Sequence, residues 1–287
     1  MDVPCTRVRL TTGFGNNLFQ YSFARLLSIK HKTSLSCRGI PNYKILDNYA
    51  ALPKHYKTKK IKHIGFKTGI YDQYFGKKYS NCNLDIISGY FEDYTIFTPH
   101  RDEIIKWFPF TLDYRDDDSI LIHFRLQNRL IQNSHFLNLI DPNYIAYYLS
   151  TVMRSGQKLY ICTDSDLWEQ VGSTYIEEIH HHVLKGENKN APLVPIDYSV
   201  QYFNSLVKSL SVFNPTVIKA SKGIQPLSGG LRSSFFEAFN QIRSFRNVMF
   251  FNSTFSWWAA FLNPESKAYV FSEWKPCKKV DPCNLGS

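Results

Sequence analysis

The chain has 287 residues, 44% of them hydrophobic and 16% aromatic, with 34 Lys+Arg against 24 Asp+Glu for a formal net charge of +10. That length holds one large or two ordinary domains, and the apolar content is globular, which excludes a disordered or collagen-like chain. No apolar run reaches the roughly 18 residues of a membrane-spanning helix, and Met1-Asp2-Val3-Pro4 lacks the basic and apolar regions of a secretory signal. A soluble, cytoplasmic or peripherally membrane-bound protein is the expectation.

Taken in chain order, the apolar pattern alternates between short runs and helical spacings. Val8-Arg9-Leu10 reads as a short strand that ends at Thr11-Thr12-Gly13. A helix follows, with Leu18, Phe19, Ser22, Phe23, Leu26 and Leu27 on one face. Lys54 to Lys78 then carries eight lysines against the single Asp72, interleaved with Tyr56, Phe66, Tyr71, Tyr74 and Phe75. Residues 1–110 hold 17 Lys+Arg and 8 Asp+Glu, whereas 111–287 hold 17 and 16, so this stretch supplies most of the asymmetry. Such a surface suits a phosphate backbone, an anionic membrane or an acidic glycan; a solvated face is the plain alternative.

The acidic loop Asp113 to Asp118 precedes a run that hardly alternates, Ser119-Ile120-Leu121-Ile122-His123-Phe124, the pattern of a parallel strand buried on both faces. A domain boundary is expected there, giving domains at 1–112 and 113–287. Further strands are read at 158–162, 216–219 and 247–251, with helices at 142–153 and 235–245 and a mobile Gly- and Pro-containing loop at 221–234. The alternation predicts α/β architecture with mostly parallel sheets, as two Rossmann-like domains facing a cleft.

Four constellations could carry chemistry. Gly13-Phe14-Gly15-Asn16-Asn17 directly follows a strand and opens a helix, where glycine lets the backbone approach a ligand and the helix start offers N–H groups to an anion. Glycine needed only for its dihedrals is the rival. His123-Phe124-Arg125 closes a buried strand, and strand alternation sends His123 and Arg125 to one side at the carboxyl edge, where open α/β sheets bind ligands. Arginine can grip a phosphate bidentately there; an internal salt bridge is the alternative. Asn252 to Leu262 reads as polar turn and apolar helix, with Ser253, Thr254 and Ser256 supplying a helix cap and hydroxyls for phosphate oxygens. Asp164-Ser165-Asp166 could hold a divalent metal on a nucleotide-sugar diphosphate, or could cap a helix or face the nucleotide base.

Other features exclude more than they suggest. His180-His181-His182 points three ways on a helix and cannot share one ion well. Six cysteines, at 5, 37, 82, 162, 277 and 283, form no CxxC pair, so zinc-ribbon and thioredoxin readings fail. Cys277 and Cys283 could bridge in an oxidising compartment, but in a chain this long reduced thiols are expected. GxSxG, HExxH and Walker A patterns are absent.

Gly13 to Arg25 (GFGNNLFQYSFAR) resembles the opening GxGNQLFQYAxAR motif of the alpha-1,2-fucosyltransferases of glycosyltransferase family 11. His123-Phe124-Arg125 resembles that family's HxRRxD motif, and Asn252 to Leu262 its NSSFSWWGAWL segment. The three segments keep the family's order, over about residues 8–265. The resemblance implies a GT-B fold and an inverting transferase with no cofactor or metal. Its donor would be a GDP-sugar, GDP-fucose, and its acceptor a glycan hydroxyl. Carried over by position, it makes Arg125 and His123 catalytic. It gives Gly13, Gly15, Asn16, Asn17, Asp164, Ser253, Thr254, Phe255 and Ser256 to the donor. Leu126 and Asn128 stand where the family has Arg and Asp, and Asn17 where it has Gln. Two rivals remain open: a metal-dependent transferase using Asp164 and Asp166, and a nucleic-acid or membrane-binding module built on Lys54–Lys78.

Overall fold

A strand in the middle of a parallel sheet is covered on both faces, so an unbroken apolar run marks the sheet's centre. In the computed structural model, which describes residues 4–10, 13–38, 61–64, 83–86, 89, 91–108, 118–126, 139–163, 195–218, 233–251 and 253–270, two sheets obey this rule. All their pairings are parallel. The chain divides into two compact units, one built on Met1–Phe110 and the other on Thr111–Lys275.

In unit 1, strands β1 (Cys5–Arg9), β2 (Ser34–Arg38), β3 (Ile61–Ile64) and β4 (Asn83–Ile86) lie in the order β2-β1-β4-β3. The Asn83 side chain accepts from the Cys5 amide at 3.0 Å, and Arg7 pairs with Asp85 at 3.2 Å, which ties β1 to β4. Helix α1 (Phe14–His31) carries the chain from β1 to β2. The sequence predicts one apolar face for it. Instead, every residue from Phe14 to Ser28 except Asn16 and Arg25 is buried. The reason is a second apolar layer supplied by the segment that holds α2 (Tyr94–Phe97) and α3 (Arg101–Trp107). Phe97 packs edge-on to Phe19, Phe108 edge-on to Tyr21, Phe91 stacks on Phe23 at 4.1 Å, and the Arg25 guanidinium lies 4.1 Å over Trp107.

Unit 2 holds β5 (Ile120–Phe124), β6 (Leu159–Thr163), β7 (Thr216–Ile218), β8 (Asn247–Phe250) and β9 (Lys267–Val270) in the order β7-β6-β5-β8-β9. Counted from β5 this is 3-2-1-4-5, the order of doubly wound nucleotide-binding sheets. Its helices are α4 (Pro142–Val152), α5 (Ile196–Ser211), α6 (Ser233–Arg243) and α7 (Thr254–Phe261). Helix α4 starts on Asp141, whose carboxylate accepts from the Asn143 amide at 2.9 Å, with Pro142 at its first position. Alternation along β5 splits its side chains between two faces. Ile120, Ile122 and Phe124 join Ile145 and Leu149 of α4 and Phe203, Leu206 and Leu210 of α5 in one core, and Leu121 and His123 face the other way. The end of α6 is locked to the end of α7 by Arg243, which donates twice to the Leu262 carbonyl, and by Asn263, which donates to the carbonyls of Arg243 and Phe245.

The strands read at 158–162, 216–219 and 247–251 are observed at those places with ends shifted by one residue. The loop expected at 221–234 overlaps α6, which already begins at Ser233. Residues 54–60 and 65–78 of the lysine-rich stretch, Cys277, Cys283 and His180–His182 lie outside the described residues. Among the described residues no helix is long and apolar enough to cross a membrane.

Burial pushes the Cys37 thiol up to about 12, with Cys5 adding in the same direction, and burial raises the phenols of Tyr21 and Tyr202 as well. Each group is neutral in the fold at a pH where the unfolded chain would already ionise it. Their stabilising contribution is therefore complete below about pH 9 and is lost as pH climbs towards 12. Denaturant midpoints measured from pH 8 to 11 should fall steadily above pH 9, and Cys37→Ala should flatten part of that slope. A midpoint constant over this window would contradict the burial of these groups.

Candidate functional site at the carboxyl edge of the unit 2 sheet

In an open α/β sheet the crevice for a ligand opens where neighbouring strands send their connections in opposite directions. In unit 2 that place is between β5 and β8: the chain runs outward from β5 through β6 to β7, then returns to the other side of β5 as β8. His123 stands opposite Phe250 in register, one residue from the end of β5. Arg125 follows immediately after the strand and is exposed. Among the described residues no carboxylate pairs with it, unlike the internal salt bridge that the sequence left open.

His123 is only 4% exposed. A buried imidazole needs a partner, and Ser256 provides it, with its Oγ 2.6 Å from His123 Nδ1. Ser256 occupies the third position of α7, and its own amide donates to the Oγ of Ser253, the residue that caps the helix. Ser253 and Ser256 are both fully buried. Their hydroxyls, expected from the sequence to face phosphate oxygens, are thus engaged inside the protein. Thr254 and Phe255 lie half-buried on the same first turn; Phe255 packs edge-on to Phe239 at 5.2 Å, and its ring centre is 6.0 Å from that of His123. Behind them, Trp257 and Trp258 are core residues around Phe261. A helix start leaves its leading N–H groups without carbonyl partners inside the helix, and its dipole presents positive potential. The edge therefore combines a guanidinium and a helix start, both suited to an anion.

Leu126, where the resembled motif has a second arginine, is 2% exposed and belongs to the core between β5, α4 and α5. Asp164, Asp166, Asn128 and Asn252 lie outside the described residues.

The glycine motif forms a separate cluster in unit 1. As the sequence predicts, this segment opens a helix: α1 begins at Phe14 with Gly13 as its cap, and Gly15, Asn16 and Asn17 lie in the first turn. Gly13 is exposed and Asn16 half-buried, while Gly15 and Asn17 are buried. Gly13 has an ordinary φ of −74°, and a Cβ on it would meet nothing within 4 Å, so neither the backbone nor packing demands glycine there. The sequence reading missed the turn after β4, where Gly89 (φ 103°) and Phe91 (φ 56°) both adopt positive φ. Positive φ is strained for a phenylalanine, and the stack on Phe23 holds it. Gln20 of α1 donates to the Gly89 carbonyl at 3.1 Å, fixing this turn beside the strand edge. The glycine followed by Tyr90-Phe91 was the available signal.

No family model and no curated protein sequence matches the chain. Among solved structures it is similar to a mutant of FUT1 from Arabidopsis thaliana in complex with GDP, with 10% sequence identity and a TM-score of 0.43, over 94% of this chain and 70% of that one.

Leu126→Arg, which restores the second arginine of the resembled motif, should cost about 3–5 kcal/mol by placing an unpaired charge in the core. Arg125→Ala, at an exposed position, should leave the denaturation midpoint nearly unchanged. A stable, soluble Leu126→Arg protein would contradict the placement of this residue.

Proposed function

We propose that the chain is an inverting glycosyltransferase of the GT-B kind that moves L-fucose from GDP-fucose to a hydroxyl of a glycan. The observation that carries this reading is the exposed Arg125, with no carboxylate partner among the described residues, at the strand edge where the Ser253-capped α7 also begins. The motif resemblance over Gly13–Arg25, His123–Arg125 and Asn252–Leu262 supports it. In this reading residues 113–287 take the nucleotide-sugar and residues 1–112 the acceptor.

The chemistry sets the demands. The acceptor oxygen bonds to the anomeric carbon on the face opposite the leaving group, and its proton passes to solvent. The bond from that carbon to the β-phosphate oxygen breaks, and its electron pair leaves with GDP through an oxocarbenium-like state. Negative charge therefore builds on the pyrophosphate. Arg125, as a fixed cation, and the start of α7, as a set of oriented dipoles, stabilise that charge without needing a metal. Asp164 would serve the nucleoside, and Gly13 and Asn16 the ligand side of unit 1.

Loss of one charged donor at a developing anion typically costs roughly 3–4 kcal/mol, about 100- to 1000-fold in rate. Arg125→Ala should accordingly come close to abolishing sugar transfer. In a thermal-shift panel of GDP, UDP and their sugars, GDP and GDP-fucose should raise the melting temperature of the wild type, because a ligand that binds only the folded state stabilises it. Wild-type turnover in Arg125→Ala, or a response to UDP without one to GDP, would sink the assignment.

The lysine and aromatic stretch Lys54–Lys78 is proposed to dock the acceptor glycan or a membrane surface that carries it, since aromatic faces stack on sugars and lysines meet acidic groups. Charge reversal at Lys57, Lys59 and Lys60 should raise the acceptor KM several-fold while leaving the GDP thermal shift intact. The opposite pattern would refute that role.

A further inference from the structure

We infer that Arg9, the last residue of β1, is a specificity-determining residue that binds an acidic group, a carboxylate or a sulfate, carried by the acceptor glycan. The inference rests on the transferase reading above, in which residues 1–112 take the acceptor, but the anion site it names is testable without any sugar transfer.

Side chains two apart on a strand share a face, so Arg7 and Arg9 project from the same side of the unit 1 sheet. On that face Arg7 has an acid opposite it: Asp85 of β4 stands in register, and the two pair at 3.2 Å. The pairing with β4 then ends at Ile86, opposite Val8, so no strand residue of β4 reaches the level of Arg9. On its other side β1 pairs with β2, and there the residue in register with Arg9 is a second arginine, Arg38. Neighbouring strands lie about 4.8 Å apart. Two arginine positions thus stand side by side at the carboxyl ends of adjacent parallel strands. Arg9 is exposed, and among the described residues no carboxylate pairs with it.

Like charges directly opposite weaken a ladder, so this pair brings the fold no electrostatic gain. The carboxyl edge is where open α/β sheets take ligands, and the exposed Gly13 lies further along the chain at the same edge. An arginine fork grips an oxyanion through two parallel hydrogen bonds and stays charged at any working pH. Residues 1–110 hold 17 Lys+Arg against 8 Asp+Glu, so the surrounding field also favours an anion. A nucleic acid or a bilayer calls for cations spread over a broad surface. On this strand face they stand at one level only, since Asp85 already neutralises Arg7, and Cys5, the residue before it on that face, is buried. One acidic group on a small polar ligand fits that placement, and the small polar ligand of residues 1–112 on the proposed reading is the glycan.

The test titrates the full chain with lactose, with sialyllactose, which adds a carboxylate, and with sulfated lactose. The wild type should bind at least one acidic probe on the order of tenfold more tightly than lactose, the scale of a hydrogen bond to a charged group. Arg9→Gln should reduce the acidic probes to the level of lactose. Equal affinity for all three sugars in the wild type, or a preference that survives Arg9→Gln, would overturn the inference. So would Arg9-dependent binding of duplex DNA or phosphatidylserine vesicles without any preference among the sugars. The denaturation midpoint of Arg9→Gln should equal or exceed that of the wild type, because the change breaks no ion pair and removes a like charge; a lower midpoint would make Arg9 a structural residue. In transfer assays Arg9→Gln should raise KM for the acidic acceptor about tenfold while kcat and the KM for lactose stay unchanged. A wild type that prefers the acidic probes through Arg9 and transfers no sugar would sink the transferase reading and leave the anion site standing.

Discussion

A polar ring in the middle of a parallel sheet must be satisfied from outside its strand, because the ladder consumes only backbone groups. In unit 2 that constraint is met across 133 residues of sequence, where Ser256 reaches His123. The bond is possible only because β8 lies beside β5, which brings the start of α7 to the face of the sheet that His123 occupies. The opposite face is closed by α4 and α5 through a wholly apolar core. Strand order, the two-faced character of β5 and the chemistry at its end are thus one arrangement. A shift of β5 by one residue would turn His123 into that apolar core and Ile122 towards Ser256.

The two units solve the same packing problem in the same way. Helices α1 and α7 each follow a central strand, and each is buried nearly all round, from Phe14 to Ser28 and from Ser256 to Leu262. A helix covered on all sides has few places where its polar groups can meet a ligand, and the first turn is the main one. At that turn α1 has a bare glycine, with open space where a side chain would stand, and α7 has a serine cap tied to a histidine. The first arrangement leaves room for close approach, and the second fixes an adjacent side chain. Strain follows the same geography: Phe91, with its positive φ, sits after β4, the strand next to β1.

Much of this was legible in the sequence. The nearly unbroken apolar run at 120–124 marks the central strand, and strand alternation places His123 and Arg125 at its carboxyl end. Less legible were β2, a Ser-Leu-Ser-Cys-Arg segment with little apolar pattern, and β4, whose four residues are too few for a period. Strands so short are specified by their neighbours, with contacts such as Asn83 to the Cys5 amide that no local pattern announces. The sequence marks the serines of the α7 turn as a helix cap and a source of hydroxyls, but not the direction in which those hydroxyls point. A helix cap and a phosphate ligand draw on the same hydroxyls, and only the position of His123 on the facing strand decides between them.

Charge distribution bears on how a pyrophosphate could be handled at all. Residues 111–287 carry 17 Lys+Arg against 16 Asp+Glu, so the second part of the chain has almost no net field with which to attract an anion. Any preference for phosphate there has to come from local groups in a dry setting, where one guanidinium and a few aligned amides count for far more than they would in water. At the Arg125 edge the cation is exposed and its backing of His123, Ser253 and Ser256 is buried, so a ligand seated there would itself have to exclude the water around Arg125. The excess positive charge lies instead in residues 1–110, where net charge can gather an acidic partner over distance without touching the reacting bond. On the proposed reading, long-range attraction and transition-state stabilisation are thus assigned to different halves of the sequence, and each can be altered without the other.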